Sequence, residues 1–214
     1  QPGPVTLLNA HMDEVGFIIK KIEANGLLRF EKLGGHDDRI LLAQSVKVLG
    51  SKAELDGVIG TMSAHYVKFD DAKKVRPHST LYIDIGATSK QEAIDMGVEV
   101  GTPVTWATEV KMVGPENNRT IIGKALDDRA GCAVLLTVLD EIQEQDFAGQ
   151  VIFLFSVQEE VGLRGAETAI NGLTDVEIAI AVDTTAVSDT PEETMDQSLQ
   201  LGAGTGIKVM DFSH

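Results

Sequence analysis

The stretch QVIFLFSV at residues 150–157 is apolar at almost every position, which predicts a β-strand buried on both faces of a sheet. A second stretch of this kind, IAIAV at residues 178–182, follows a predicted helix over residues 165–171 that ends at Gly172. Strand, helix and strand in this order predict two parallel strands of one sheet. The opening stretch VTLLNA, at residues 5–10, fits the same sheet. We therefore expect an α/β fold with a parallel or mixed sheet.

Side chains of the types that bind metals follow each of these predicted strands. His11 and Asp13 come directly after the first strand, and the alternation of side chains along a strand puts both on one face. Glu159 and Glu160 follow the second strand, and Asp183 follows the third. Because chemistry in open α/β sheets lies at the carboxyl ends of the strands, we expect these side chains to lie close together.

A long, mostly buried amphipathic helix is predicted over residues 127–145, where apolar residues recur at helical spacing. Asp127 and Asp128 lie in its first turn. Asp127 is placed to project into the site while Asp128 caps or orients, and one of the two carboxylates would bridge two metal ions. An Asp-Asp pair before a helix is also typical of simple capping, and that alternative remains open.

Glu159 and Glu160 are adjacent, and adjacent side chains point to opposite faces of a regular strand. Both reach one site only if the backbone turns there, which the following Val161-Gly162 permits. One glutamate would then bind a metal, and the other would take a proton from a water whose pKa the metal has lowered to ~7. A solvated loop is the alternative interpretation of this pair.

The middle of the chain has a different texture, with short apolar runs separated by turn residues. This pattern predicts a small β-barrel or sandwich. One short helix interrupts it at residues 90–96, with Ser89 as its N-cap. We expect residues 17–112 to form a β-rich domain inserted into a catalytic domain made of residues 1–16 and 113–214. The predicted strands are residues 17–19, 26–30, 45–49, 57–60, 80–85 and 104–106.

Composition excludes several classes of partner. A formal net charge of −15 repels polyanions, so nucleic acids and anionic membrane surfaces are not expected to bind. No apolar run approaches the roughly 20 residues that span a bilayer. A single cysteine, Cys132, cannot form an internal disulfide, and we expect a reducing cytoplasm as the location.

The motifs resemble those of the dinuclear-metal tetrahedral aminopeptidases, a family that includes glutamyl and deblocking aminopeptidases and whose members are sometimes labelled cellulase M or endoglucanase. The resemblance covers nearly the whole chain. It rests on HMDEVGF at 11–17, KALDDRAGC at 124–132, VQEEVGLRGA at 157–166, and Asp183-Thr184 with Asp189-Thr190-Pro191.

The resemblance implies a metal-dependent aminopeptidase that acts on peptides with two Zn²⁺ or Co²⁺ ions per subunit. By this likeness, the metal ligands are His11, Asp127, Glu160 and Asp183, with Asp127 bridging both metals. Glu159 would be the general base, and Asp13 would orient His11. The resemblance also implies a cis peptide bond after Asp127, dimerisation through the β-rich insertion, and a homo-oligomer ranging from a dimer to a dodecamer.

The chain departs from the family in length. Family members are longer at both ends, and their second histidine ligand lies in sequence beyond the Asp183 strand that is absent here. His214 lacks the sequence context of that ligand. We therefore expect this polypeptide alone to bind metal weakly or not at all and to lack peptidase activity, while dimers still form through the insertion.

Two further questions stay open. Glu159 and Glu160 would be the acid pair of a glycosidase, but that mechanism gives His11 and Asp127 no role. Arg129 and Arg164 lie beside the proposed ligands and are candidates to recognise an acidic substrate side chain, although arginines in such positions often form internal salt bridges.

Overall fold

The computed structural model describes residues 3–66, 74–187, 191 and 199–208 of the chain. Asp189 and Thr190 of the last motif, and His214, lie outside these residues. The described part forms two main sheets and a small hairpin. In chain order, its strands and α-helices are β1 (Val5–His11), β2 (Gly16–Ile22), β3 (Leu28–Leu33), β4 (Ser45–Leu49), β5 (Glu54–Gly60), β6 (Tyr82–Asp84), α1 (Lys90–Asp95), β7 (Pro103–Trp106), β8 (Lys111–Val113), β9 (Thr120–Ile122), α2 (Leu126–Ile142), β10 (Gln150–Ser156), α3 (Arg164–Ile170) and β11 (Val176–Ala181).

The first sheet has the strand order β10-β1-β11, with both neighbours parallel to β1. This confirms the predicted parallel sheet. The register pairs His11 with Ser156 and Asn9 with Ala181, so the carboxyl ends of the three strands lie side by side. The polar residues that follow each strand therefore meet at one edge of the sheet.

The prediction that β10 and β11 are buried on both faces is wrong for this chain. Ile178 and Ile180 of β11 are 45% and 47% exposed, and most of β10 is only half-buried. Both strands are edge strands of the sheet within the described residues. The small apolar cluster beneath β1 is formed by Ala10 with Cys132 and Leu135 of α2.

Helix α2 is less buried than its apolar pattern predicts. Cys132 and Leu135 face the sheet, whereas Val134 and Leu136 are about half exposed, at 49% and 55%. Only one face of α2 is buried, because the helix packs mainly against β1 in the described part of the chain. The helix itself is confirmed, and it ends at Ile142, a few residues before the predicted end.

The predicted β-rich region forms a closed antiparallel barrel in the order β2-β3-β6-β5-β4-β7. Its core contains Phe17, which meets Phe30 and Trp106 edge-to-face, with both pairs of ring centroids 5.0 Å apart. Helix α1 is also confirmed, and the Ser89 side chain accepts a hydrogen bond from the Glu92 N–H at 3.2 Å. Closure gives every strand two neighbours, which leaves the barrel without an open edge.

The hairpin of β8 and β9 was not predicted from the sequence. Its strands are three residues each and largely exposed, so they carry no burial pattern that marks a strand. The hairpin lies between the barrel and α2, across the predicted domain boundary at residues 112/113, and the division into domains stays a prediction. None of the helices in the described residues is long and apolar enough to cross a membrane.

Candidate metal centre

The imidazole of His11 lies at the centre of the site. His11 is the last residue of β1 and is 2% exposed. Its Nε2 atom is 3.0 Å from Asp127 Oδ1, 3.8 Å from Glu159 Oε2 and 3.9 Å from Asp183 Oδ1. Side chains that follow β10 and β11, and one at the start of α2, thus converge on the ring nitrogen of His11 at the end of β1.

The backbone of His11 is held by α2. Its N–H donates to Asp128 Oδ2 at 3.2 Å, and its carbonyl accepts from the Cys132 thiol at 3.1 Å. Asp128 is fully buried and also accepts the Gly131 N–H at 3.0 Å. A Cβ at position 131 would lie 2.4 Å from Asp128 Oδ1, so glycine is required for this approach. Asp128 therefore both holds the His11 backbone and accepts an N–H group in the first turn of α2, so the contacts agree with orienting and with capping, the two roles that the sequence left open.

Asp127 departs from helical geometry at the start of α2. Its φ and ψ are −84° and 106°, and the Asp127-Asp128 peptide bond is cis, as the family resemblance implied. The two adjacent carboxylates consequently face different surroundings. Asp127 is exposed beside His11, whereas Asp128 is enclosed by backbone donors.

The backbone turns at the two adjacent glutamates, as the sequence required. Gln158 has a left-handed φ of 57°, and the Glu159 carbonyl accepts the N–H groups of Gly162 and Leu163, both at 2.9 Å. The N–H groups of Glu159 and Glu160 donate to the two carboxylate oxygens of Asp13, at 3.1 and 3.2 Å.

Asp13 therefore anchors the turn that carries both glutamates, a contact that the sequence did not suggest. Its backbone carbonyl is 3.1 Å from His11 Nδ1, and its Oδ1 is 3.5 Å from the same atom. Asp13 is thus placed both to fix the ring of His11 and to join the segment that follows β1 to the glutamate turn that follows β10. The spacing of 146 residues between Asp13 and Glu159 explains why no local pattern reveals the link.

The donor set fits divalent metals. His11, Asp127 and Glu160 offer ligand atoms within 4.8 Å of one another, and so do His11, Asp128 and Asp183. One imidazole with several carboxylates is the mixture that zinc and similar ions take. Asp128 is the least available member, because both of its oxygens already accept backbone hydrogen bonds.

The clustered carboxylates of the site also favour the binding of a cation. Burial, then repulsion from Asp127 and Glu159, raises the pKa of Glu160 to about 7. Burial is likewise the main cause that raises the pKa values of Glu159 and Asp183. Burial lowers the pKa of His11, but Glu159, Asp183 and Asp127 outweigh it and raise the net value. Within the described residues, the ion pairs of Asp127, Glu159 and Asp183 all go to His11.

A cavity of about 570 Å³ opens beside the cluster, between the barrel and α2. Asp127 and Glu160 line one side of it, and Trp106 and Lys124 line another. Neither Arg129 nor Arg164 is among its lining residues in the described chain. The Arg129 guanidinium instead donates to the Met12 carbonyl at 2.5 Å. Arg129 nevertheless lines a neighbouring cavity of about 670 Å³ that shares Trp106 and Lys124 with the first, so its position is compatible with the predicted role in substrate recognition. Arg164 lines neither of these two cavities.

The curated proteins that are similar to this chain include aminopeptidases. A glutamyl aminopeptidase of Lactococcus lactis is 31% identical, covering 99% of this chain and 59% of the relative. A lysyl aminopeptidase of Pyrococcus furiosus is also 31% identical, over 86% of this chain and 51% of the relative. The chain therefore spans little more than half the length of these curated relatives.

Solved structures show the same relationship. The TET aminopeptidase of Thaumarchaeota archaeon SCGC AB-539-E09 matches with a TM-score of 0.84 and 36% identity, over 90% of this chain and 54% of that chain. The TET1 peptidase of Pyrococcus horikoshii, which assembles into a tetrahedron or a large octahedral shell, matches with a TM-score of 0.75 and 37% identity, over 86% and 54%. The family model for M42 glutamyl aminopeptidases matches residues 1–214, and the chain belongs to that family.

Proposed function

We propose that this chain supplies the metal ligands and the general base of an aminopeptidase that releases N-terminal residues from peptides with two divalent metal ions, Zn²⁺ or Co²⁺. The observation that carries the proposal is the convergence of Asp127, Glu159 and Asp183 within 3.9 Å of one buried imidazole nitrogen. Family membership agrees with it.

The ligands in this proposal are His11, Asp127, Glu160 and Asp183. Asp127 would be the bridging carboxylate, because it forms one group with His11 and Glu160 and also lies close enough to Asp183 to raise the pKa of that carboxyl group, after the larger effect of burial. When bound, the two ions would polarise the scissile carbonyl and lower the pKa of the attacking water. Asp128 holds the His11 backbone and stays outside the ligand set.

Glu159 is the general base. Its raised pKa brings the carboxylate closer to neutral pH, where a base that must both take and return a proton is most effective. Its Oε2 would accept a proton from the attacking water and pass it to the nitrogen of the departing amine. Asp13 keeps Glu159 in place through the Glu159 N–H and orients His11 through Nδ1.

The substrate class is a peptide with a free N-terminus, and no side-chain preference is assigned, although Arg129 lines a cavity next to the segment that carries Asp127. Arg129 is engaged by the Met12 carbonyl, and the relatives include both a glutamyl and a lysyl aminopeptidase. Self-association through the barrel is part of the proposal, because the barrel has its own complete core and a related TET1 peptidase assembles into closed shells.

The variant Glu159→Gln, made in the protein as it occurs naturally, tests the proposal by metal analysis and peptidase assay. We expect bound metal near the wild-type content and a loss of at least about 100-fold in kcat on leucyl-, glutamyl- and lysyl-p-nitroanilide. Glu167→Gln, an exposed glutamate in the first turn of α3, is the matched control and should behave as wild type. Retained turnover in Glu159→Gln would refute the base assignment.

A chelator separates this proposal from the glycosidase alternative. Removal of metal should abolish hydrolysis of the anilides, and Co²⁺ should restore it. Cleavage of a cellulose oligomer that survives chelation would favour the glycosidase instead. The same assay on residues 1–214 alone tests the expectation that this polypeptide by itself is inactive.

A further inference from the structure

Glu14 lies beside the metal centre but has no place in the ligand set. It follows His11 by three residues and ends the acidic motif before β2. Its Oε1 accepts hydrogen bonds from Lys124 Nζ at 2.6 Å and from Thr105 Oγ1 at 2.8 Å. The side chain is 17% exposed, and its Oε2 is buried without a hydrogen-bond partner among the described residues.

These contacts join three separate parts of the molecule. Glu14 belongs to the connection between β1 and β2, Thr105 belongs to strand β7 of the barrel, and Lys124 belongs to the segment between β9 and α2. Lys124 precedes Asp127 by three residues, as Glu14 follows His11 by three. One carboxylate oxygen therefore ties both metal-binding segments to each other and to the barrel.

Stability alone is a poor explanation for this arrangement. A carboxylate removed from water loses its hydration, and a buried ion pair recovers that loss only when the remaining oxygen is also satisfied. The Oε2 atom of Glu14 has no such hydrogen-bond partner among the described residues. The pair of Glu14 and Lys124, whose side chains are 17% and 31% exposed and which leaves one oxygen unpartnered among the described residues, is better explained by the geometry that it imposes.

We propose that Glu14 is a positioning residue, which fixes Asp127 relative to His11 through Lys124 and links the metal centre to the barrel through Thr105. This inference rests on the proposed function, because it assigns Glu14 to the metal site of that reaction. Lys124 and Glu14 also line the cavity beside Asp127 and Glu160, so a shift of either changes the wall that faces the substrate.

The test uses Glu14→Ala and the double variant Glu14→Ala/Lys124→Met. The matched control is Asp38→Ala, which breaks a second partly buried pair, Lys32 with Asp38 at 3.0 Å and 24% and 23% exposed, within the barrel. Co²⁺ alone is the probe, and its binding is followed by visible absorption. Thermal unfolding of each variant is measured in parallel.

We expect Glu14→Ala to weaken Co²⁺ binding by about 10- to 100-fold, as loss of a supporting contact to a metal ligand does. The double variant removes the unpaired lysine charge, so its unfolding temperature should recover while its Co²⁺ affinity should not. Asp38→Ala should bind Co²⁺ as wild type does. Unchanged affinity in Glu14→Ala, or affinity that recovers together with the unfolding temperature, would overturn the proposal.

Hydrogen exchange of the metal-free protein decides the matter independently of metal binding. In Glu14→Ala, the amides of residues 124–129 should exchange faster than in wild type, and in Asp38→Ala they should not. Equal exchange in the two variants would refute the positioning role. If the wild-type protein, expressed in its natural form, takes up no Co²⁺, the proposed function fails, and the exchange result still shows whether Glu14 holds this segment.

Discussion

The closed barrel and the three-stranded sheet bury their apolar side chains to different extents. Among the residues that the structure describes, fifteen buried side chains fill the barrel, whereas the cluster between β1 and α2 has three, Ala10, Cys132 and Leu135. The barrel forms its core from its strands together with α1 and the connecting segments, which contribute residues such as Ala93 and Leu41, while β11 and the outer face of α2 leave large apolar side chains half exposed. The candidate site therefore lies in the region that buries fewer apolar side chains, the three-stranded sheet with α2. Polar contacts such as those of Asp128 and Asp13 fix the geometry of the site.

The largest expected effect comes from matched truncations in the two regions. Phe17→Ala empties a fully buried position of the barrel and should lower the free energy of unfolding by about 3–5 kcal/mol. Phe153→Ala in β10 removes a partly buried ring and should cost less, about 1–2 kcal/mol. Urea denaturation of both variants measures the difference. Equal losses would mean that the sheet is packed as tightly as the barrel.

The next effect concerns the polar contacts of the sheet region. Asp128→Ala leaves the N–H groups of His11 and Gly131 without their acceptor and should lower the free energy of unfolding by about 1–3 kcal/mol. Because His11 loses its anchor, Co²⁺ affinity should also fall by about 10- to 100-fold.

Asp84→Ala is the control for Asp128→Ala. Asp84 Oδ1 accepts the Gly86 N–H at 2.8 Å in a barrel turn. Its loss should leave Co²⁺ binding unchanged, as measured by titration. A similar fall in affinity for both variants would show that barrel and site are coupled through general stability.

Metal removal should make stability depend on pH through the sheet region. The Glu160 carboxyl group keeps its proton up to about pH 7 in the folded chain, against a value of 4.5 for the free side chain. The folded state thus binds more protons between these values, so the free energy of unfolding should fall as the pH rises from about 4.5 to about 7. Saturating Co²⁺ should flatten this slope.

The comparison for the pH effect is Glu160→Gln. This variant has no titrating group at position 160, so its metal-free stability should decline less over the same pH range. Thermal unfolding at several pH values measures both slopes. A wild-type slope that Glu160→Gln leaves unaltered would contradict the assignment to this carboxyl group.

The smallest effect distinguishes two histidines, one in each region. Burial lowers the pKa of His36, which stacks on Phe17 with 4.5 Å between ring centroids, whereas the surrounding acids raise the pKa of His11. NMR titration of the metal-free chain should find His36 below 6.5 and His11 above it. The folded chain should then lose the stabilisation contributed by neutral His36 as the pH falls below 6.5. It should lose the stabilisation contributed by protonated His11 as the pH rises through the raised pKa of that residue. Coincident titration curves would refute the contrast.

The sequence predicted those parts of the molecule that local patterns encode. Apolar runs marked β1, β10 and β11, and the placement of acids after them brought His11 and Asp183 to one edge of the sheet. The barrel followed from the spacing of short runs and turns. Family resemblance added the cis peptide bond at Asp127.

Contacts between distant residues were beyond those patterns. The bonds from Asp13 to the glutamate turn, and from Glu14 to Lys124, join residues 146 and 110 positions apart. The exposure of β11 was mispredicted because an apolar run records the capacity for burial, and the neighbours that are present determine how much burial is achieved.

The connection from β1 to β2, residues 12–15, has a bearing on how this protein tolerates insertion and deletion. Four residues separate His11, a proposed metal ligand, from the first strand of the barrel, and three of them, Met12, Asp13 and Glu14, are hydrogen-bonded to other segments. The linker has no slack, so a single added residue would misalign one region or the other. If the barrel is exchanged between related chains, the junction between the two sequences should therefore lie after Glu14. Loops at the end of the barrel away from Glu14 should tolerate changes in length.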